Sequence, residues 1–285
     1  MTQDVPEWFR RAIDAKPEHH DIDVEGTSVH YRAWGPTGGP GVVLLHGGGA
    51  HSGWWDHIAP LLAVDRRIIA PDLTGHGDSA RRPEYVRSVW AEEAVAVSEA
   101  AGLTRPTMVG HSMGGWVAVY AGVLHPDAMQ SIIAIDSPLD DEPPEESPLR
   151  PPPQGTAPKV YARREDAVAR FRTVPPQESM LAYVADHVAL ESLREVEGGW
   201  TWKFDIGIFG DRVWHRGLLD QLDVPIILLR CEKGLVSPEM ATRMAAKPSG
   251  GMSVLEIEGA GHHAMFDQPL AVVAALQSLL PGGTS

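Results

Sequence analysis

Short apolar runs alternate along the chain with longer segments whose apolar residues recur at helical spacing. The runs are rich in branched residues and have the length of buried strands: residues 41–46 (GVVLLH), 67–71 (RIIAP), 106–110 (PTMVG), 131–136 (SIIAID), 224–230 (VPIILLR) and 253–257 (SVLEI). Helical periodicity marks residues 88–101, 113–124 and 269–280. Strands that alternate with helices predict an α/β fold, with a mostly parallel sheet flanked by helices on both faces.

The alternation breaks off after residue 136. Eight prolines lie from Pro138 to Pro158, and neither a central strand nor a helix interior accommodates such a stretch. Helical patterns follow over residues 163–172 and 177–197, where Gly198 and Gly199 should end the second helix. We therefore predict an α/β core built from residues 1–136 and 216–285, with an inserted helical cap over residues 137–215.

Charge restricts the partners of the chain. Among its 285 residues, 24 are Lys or Arg and 38 are Asp or Glu, which gives a formal net charge of −14. This field repels a phosphate backbone, so we expect no nucleic-acid partner. The longest nearly apolar run, residues 270–280, is shorter than the ~20 residues that span a bilayer, so no membrane span is expected. The single cysteine, Cys231, excludes an intramolecular disulfide and fits a cytoplasmic location.

The segment Gly110-His111-Ser112-Met113-Gly114 lies between a predicted strand and a predicted helix. This context is the one in which a sharp turn exposes a nucleophilic serine at the end of a strand. The following helix directs its N-terminus at the site, so the Met113 N–H is a candidate donor to a developing oxyanion. The alternative is a glycine-rich turn that contains an incidental serine.

A second glycine-rich segment, His46-Gly47-Gly48-Gly49, directly follows the first buried strand. Backbone without side chains can approach a substrate closely and supply another N–H to the same oxyanion. Gly48 is the preferred donor and Gly49 the second choice. We interpret His46 as a buried histidine bonded to local backbone.

A histidine follows the last predicted strand in the segment Gly259-Ala260-Gly261-His262. From this loop His262 can accept the proton of Ser112 and return it to the leaving group. His263 is the competing candidate, because adjacent side chains on a loop point in different directions. We predict no metal site, since the His-His pair has no evident third ligand.

With these motifs in hand, the chain resembles the α/β-hydrolase fold superfamily, in its serine hydrolase branch with a helical cap. The segments HGGG (46–49), PDLTGHGDS (71–79), GHSMGG (110–115) and GAGH (259–262) occur in the order and spacing of that family. They cover nearly the whole chain apart from the cap and the N-terminal tail. The resemblance implies a Ser–acid–His triad, and it gives Asp72, His76 and Asp78 of the second segment a structural role.

The acid is where this chain departs from the family pattern. Most members carry an Asp in the loop after the seventh strand, but here Gly234 stands at that position. Some members carry the acid at the end of the sixth strand, where this chain has Asp136. We expect Asp136 to accept the Nδ1–H bond of His262 and fix its tautomer, with Glu232 as the alternative acid.

A serine nucleophile narrows the chemistry that the resemblance allows. Relatives that act on haloalkanes or epoxides have Asp at this position, and hydroxynitrile lyases carry Lys where this chain has His263. Acyl transfer to water remains, in which Ser112 forms an acyl-enzyme that a water activated by His262 hydrolyses. No metal or organic cofactor is implied.

Aromatic side chains near the oxyanion loop and in the cap predict a pocket for an apolar small molecule, unless they only join cap to core: Trp54, Trp55, Trp200, Trp202, Phe204 and Trp214. We expect a neutral ester or lactone, because the sequence places few basic residues, among them Arg163, Arg164 and Arg194, to hold a carboxylate. The alternatives are a C–C bond hydrolase or cofactor-free perhydrolase of the same fold, and a ligand receptor with slow turnover. Fast turnover of a simple ester would favour the ester or lactone hydrolase over the ligand receptor.

Overall fold

The computed structural model describes residues 5–38, 41–141, 158–177, 179–210 and 216–282. Its strands are β1 (Glu18–Val24), β2 (Thr27–Trp34), β3 (Gly41–Leu45), β4 (Arg67–Pro71), β5 (Thr107–His111), β6 (Ser131–Ile135), β7 (Leu193–Val196), β8 (Gly199–Trp202), β9 (Ile226–Lys233) and β10 (Met252–Gly261). Within these ranges eight strands form one sheet, in the order β1-β2-β4-β3-β5-β6-β9-β10. Strand β2 is antiparallel to β1 and β4, and the other neighbours are parallel. The predicted mostly parallel sheet is confirmed.

Helices cover both faces of this sheet. They are α1 (Glu7–Asp14), α2 (Ala59–Leu62), α3 (Arg87–Ala100), α4 (Met113–Leu124), α5 (Arg164–Val168), α6 (Ala182–Glu191), α7 (Pro238–Ala245), α8 (Ala264–Asp267) and α9 (Pro269–Leu279). Among the described residues, no helix combines the length and the apolar character needed to cross a membrane.

Two apolar clusters lie on opposite sides of the sheet. In β3, Val43 and Leu45 belong to one cluster, whereas Val42 and Leu44 belong to the other, because successive side chains of a strand point to opposite faces. Helices α3, α4 and α7 cover the first face, and α1, α2, α6, α8 and α9 cover the second. Burial on both faces explains why the strands are apolar runs without alternation.

The segment between β6 and β9 is less helical than its pattern predicted. The helix expected over residues 177–197 is α6, which ends at Glu191, and β7 and β8 follow it as an antiparallel pair. Gly198 has φ 85° and makes the turn between the two strands, so the Gly-Gly pair forms a hairpin turn and does not end a helix. Residues 142–157 and 211–215 lie outside the described residues, and the domain boundaries stay a prediction.

A buried ion cluster joins this segment to the sheet. Arg32 on β2 donates to Asp56 at 2.6 Å and to Glu191 of α6 at 2.9 Å. His187, one turn earlier on α6, lies 3.0 Å from the same Asp56 carboxylate. Since the Arg32 side chain is only 5% exposed, loss of a partner would leave a buried charge uncompensated.

Candidate active site

Ser112 occupies a sharp turn between β5 and α4. Its φ of 53° and ψ of −115° are values that side-chain-bearing residues rarely adopt. A Cβ atom at Gly110 would overlap the carbonyl group of Gly114, and one at Gly114 would overlap the carbonyl of Leu45. The glycines two residues before and after the serine are therefore required by space, and they let the turn present Ser112 at the carboxyl end of β5.

His262 and Asp136 complete a chain of hydrogen bonds with this serine. His262 follows β10, and its Nε2 lies 3.1 Å from Ser112 Oγ. Its Nδ1 lies 2.7 Å from Oδ2 of Asp136, the residue that directly follows β6. Because a carboxylate only accepts, Nδ1 carries the proton and Nε2 is free to accept from the Ser112 hydroxyl. Three side chains expected from distant parts of the sequence thus meet at one edge of the sheet.

Backbone amides of β9 and of the loop after it hold the Asp136 carboxylate. The Leu235 N–H donates to Oδ2 at 2.7 Å, and the N–H groups of Cys231 and Val236 donate to Oδ1 at 3.3 Å each. The residue itself is fully buried. These donors fix the plane of the carboxylate and give both of its oxygens hydrogen-bond partners.

Gly234 makes room for this carboxylate. A Cβ atom built at Gly234 would lie less than 3.0 Å from the carboxyl atoms of Asp136. The alternative acid, Glu232, is exposed, and its carboxylate accepts from the Gly259 N–H at 2.6 Å. The structure therefore brings Asp136, and not Glu232, to His262, and it gives a steric reason for glycine at the family's usual acid position.

The loop after β3 lies against the serine. A Cβ at Gly47 would be 3.4 Å from Ser112 Cβ, and one at Gly48 would be 3.7 Å from Met113 Sδ. His46 is bonded to local backbone: its Nε2 accepts from the Leu73 N–H at 3.1 Å, and its Nδ1 donates to the Gly47 carbonyl at 2.8 Å. Burial lowers the pKa of His46, which keeps the ring neutral in this structural role.

A cavity of about 170 Å³ adjoins this loop. Gly48 and Gly49 line it, together with three of the predicted aromatic residues: Trp54, Trp202 and Phe204. Phe171 and Phe209 also line it. The sequence analysis missed them because nothing in the local pattern distinguishes a cavity-lining phenylalanine from a core one.

Two of the other three predicted aromatic residues are described, and neither is in this cavity wall. Trp55 is fully buried in the apolar cluster of the second sheet face, so its assignment to the pocket is wrong. Trp200 packs its ring under the guanidinium of Arg164 at 5.2 Å and pairs by backbone with Tyr161, which commits it to the structure of the hairpin. Trp214 lies outside the described residues.

Three imidazoles meet behind the serine. His111, His262 and His263 are all buried, and their ring nitrogens come within 4.8 Å of one another. The prediction that the His262–His263 pair lacks a third ligand was wrong, because His111 on β5 supplies one that the sequence separates widely. His262 already contacts Asp136 and Ser112. A metal ion bound by all three rings would therefore displace the Ser112 contact.

His111 and His263 are neutral neighbours of His262. Burial, together with the nearby His262 and His263, holds the pKa of His111 well below its ordinary value. Burial and the adjacent His262 lower the pKa of His263 to about 3. His111 Nε2 donates a hydrogen bond to the His262 carbonyl at 2.9 Å, and this partner is uncharged. The two imidazoles beside His262 therefore carry no charge, and the charged group in contact with its ring is the Asp136 carboxylate.

Comparisons with known proteins agree with this architecture. The model of the alpha/beta hydrolase family matches residues 42–276. Esterase Rv0045c of Mycobacterium tuberculosis is 26% identical over 273 residues, covering 90% of this chain and 88% of that protein. Pimeloyl-[acyl-carrier protein] methyl ester esterase of Neisseria meningitidis is 26% identical over 255 residues, covering 85% and 93%. The solved structure of E-2-(acetamidomethylene)succinate hydrolase has the same fold, with a TM-score of 0.78 at 18% identity, covering 92% of this chain and 98% of that one.

Proposed function

The chain belongs to the alpha/beta hydrolase family, and on that premise we propose that it is a serine hydrolase that cleaves a carboxylic ester or lactone of a largely apolar small molecule through an acyl-enzyme. One observation carries the proposal, namely the unbroken hydrogen-bond chain from Ser112 through His262 to Asp136. Two named esterases match most of the chain, which supports the same chemistry.

Proton transfer in the proposed reaction follows from the orientation of His262. Its Nε2, 3.1 Å from Ser112 Oγ, takes the hydroxyl proton as the oxygen attacks the scissile carbonyl. The imidazolium that forms is stabilised by Asp136 at 2.7 Å. His262 then protonates the leaving alcohol, and in the second half of the cycle it deprotonates the water that hydrolyses the acyl-enzyme.

The oxyanion of the tetrahedral intermediate needs two preorganised donors. We assign these to the N–H groups of Met113, the first residue of α4, and Gly48. The Met113 N–H points from a helix N-terminus, whose partial positive charge favours an anion. A Cβ built at Gly48 would lie 3.7 Å from Met113 Sδ, so the two residues are neighbours, which supports a shared site for their two donors.

Residues of the segment 137–215 act as a cap in this proposal. Phe171, Trp202, Phe204 and Phe209 come from the segment, and Gly48, Gly49 and Trp54 come from the core, yet all of them line one cavity. The apolar wall would bind the body of the substrate and exclude bulk water from the site while Ser112 is acylated.

A fluorophosphonate probe, followed by mass spectrometry of the labelled peptide, tests the nucleophile. Label should appear on Ser112 and be absent from Ser112→Ala, which should also lose about 10⁶-fold in the turnover of p-nitrophenyl esters. Ser137→Ala is the matched control, because the Ser137 hydroxyl donates to the backbone carbonyl of Ile135 at 3.1 Å. Label on another residue, or turnover retained by Ser112→Ala, would refute the assignment.

A further inference from the structure

Cationic side chains line the cavity beside the proposed active site. Arg170, Arg172 and Lys203 line it, and no Asp or Glu is among the residues of its wall in the described part of the chain. The protein as a whole has a formal net charge of −14. A local excess of positive charge on such a protein indicates a binding preference for an anion.

Two of these cations form no ion pair within the described residues, although Arg170 contributes, after Arg163, to lowering the pKa of Asp166. Lys203 is neutralised by Asp78, whose carboxylate lies 2.8 Å from Nζ. Arg172 donates from Nη1 to the backbone carbonyls of Phe171 at 2.6 Å and Ala169 at 3.3 Å, which orients the guanidinium while its charge stays uncompensated. Arg170 has no ion pair within the described ranges. A guanidinium fork matches the two oxygens of a carboxylate.

Thr173 supplies an independent indication of a ligand. It lines the same cavity and is only 3% exposed, and its buried Oγ1 has no hydrogen-bond partner among the described residues. Buried hydroxyls without a partner are rare, because the missing bond costs stability. A ligand oxygen in the cavity would supply the acceptor.

The reacting end of a substrate would lie near the glycine loop. Gly48 and Gly49 line the cavity, and Gly47 beside them lies against Ser112. A Cβ built at Gly49 would lie 3.5 Å from the Phe209 ring, and the ring of Phe171, which lies between the two arginines in the chain, packs on Trp54 and Trp202 of the same wall. The wall therefore combines backbone close to Ser112, aromatic rings and cationic side chains.

We infer that the substrate carries a carboxylate remote from its scissile carbonyl, bound by Arg170, Arg172 and Thr173, with an apolar chain along the aromatic wall. This inference rests on the proposed hydrolase function and refines its substrate class. It departs from the neutral substrate expected from the sequence, because Arg170 and Arg172 line the cavity and were not among the arginines considered there. Two of those arginines are used elsewhere: Arg163 pairs with Asp166 at 2.6 Å, and Arg164 packs on Trp200.

The test compares esters that differ only in the remote group. The p-nitrophenyl monoester of adipic acid carries a free carboxylate, and the corresponding adipamic acid ester carries a neutral carboxamide of the same shape. A second pair, 4-carboxyphenyl and 4-carbamoylphenyl hexanoate, places the group on the alcohol side. We expect the ratio of kcat/KM for acid over amide to exceed about 10 in one pair, mainly through KM, since a charged hydrogen bond is worth about 1.5–3 kcal/mol.

Variants locate the preference. Arg172→Gln and Arg170→Gln should each lower the acid-over-amide ratio about tenfold, and Thr173→Val should lower it by a smaller factor. Arg163→Gln, an arginine of the same segment that faces solvent, is the matched control and should keep the ratio unchanged. Calorimetric binding of adipate against adipamide to Ser112→Ala measures the same preference without turnover.

The outcomes separate this inference from the proposed function. If the esters give a Ser112-dependent burst but acids and amides react equally in both pairs, the carboxylate site is refuted and the hydrolase stands. If no ester gives a burst, the proposed function fails, and the calorimetric comparison still decides the carboxylate site. A ratio above 10 that survives both arginine substitutions would also overturn the assignment.

Discussion

The double variant Asp136→Gly, Gly234→Asp exchanges the two residues and is called the exchange variant. It tests whether activity needs a carboxylate at this place in the structure or an acid at position 136 of the chain. Asp136 has φ 41°, which suits glycine, whereas the φ of Gly234 lies outside the left-handed region and is open to aspartate. A Cβ at position 234 would lie less than 3.0 Å from the carboxyl atoms of Asp136. The carboxylate of an aspartate at 234 would begin about 1.5 Å, one carbon–carbon bond, beyond that point.

Each single substitution should inactivate the protein for a different reason. Asp136→Gly removes the acceptor that orients His262, which should lower kcat about 10³–10⁴-fold. Gly234→Asp sets a second carboxylate against the first. Two like charges about 4 Å apart repel by about 4 kcal/mol at an effective dielectric constant of 20, and the steric overlap adds about 1–3 kcal/mol. This variant should therefore also unfold at a lower temperature.

The exchange variant has one carboxylate and no overlap. Its kcat for a p-nitrophenyl ester should exceed that of Asp136→Gly by about 10²-fold, which corresponds to about 3 kcal/mol of recovered transition-state stabilisation. Burst kinetics with thermal unfolding of all four proteins measures both quantities. The reasoning is refuted if the exchange variant unfolds at the temperature of the original protein and yet is no more active than Asp136→Gly.

Three further outcomes follow from the described contacts. Asp136→Asn should lower kcat about 10³–10⁴-fold with unchanged folding, whereas Glu232→Gln should change kcat by less than about twofold. Steady-state kinetics measures both values, and the reverse result would identify Glu232 as the acid. Arg32→Gln should lower the free energy of unfolding in urea by about 3–5 kcal/mol, because it removes the guanidinium that neutralises buried Asp56 and leaves His187 as the remaining side-chain partner described for that carboxylate. The exposed pair lost in Arg163→Gln should cost less than about 1 kcal/mol, and equal losses would contradict this. Burial lowers the pKa of His57 from 6.5 to about 4, so the unfolded chain binds a proton there that the native protein does not. The stability from this neutral ring is complete above pH 6.5 and should fall by about 3 kcal/mol as the pH drops to 4, a loss that urea titrations should find absent in His57→Gln.

Much of the fold could be predicted because its determinants are local. The five-residue strand β3 is buried on both faces, so its sequence is a continuous apolar run that needs no partner to be recognised. The turn at Ser112 was predictable for the same reason, since the steric demand that selects Gly110 and Gly114 acts within five residues.

The remaining features depend on contacts between distant residues. Whether Trp55 lines a pocket or fills the core is decided by α2 and its packing partners, which the sequence around Trp55 does not specify. The meeting of His111 with His263 and the clustering of Arg170 and Arg172 on a cavity wall likewise appear only when the chain is folded. The Gly198 turn was misread because the same residues end a helix or form a hairpin, and only pairing decides.

The backbone amides that bind the Asp136 carboxylate affect how members of this superfamily are classed as active or inactive. Neighbouring parallel strands end side by side, so the end of β6 and the loop after β9 border one small volume, into which either can send a carboxylate. A survey that compares homologues column by column finds glycine where an acid is required and classes the chain with the inactive members. Superposition of the structures finds the carboxylate in that volume, supplied by a residue at a different alignment position. A member of this superfamily should therefore be classed as inactive only after its structure has been searched for an acid at this place.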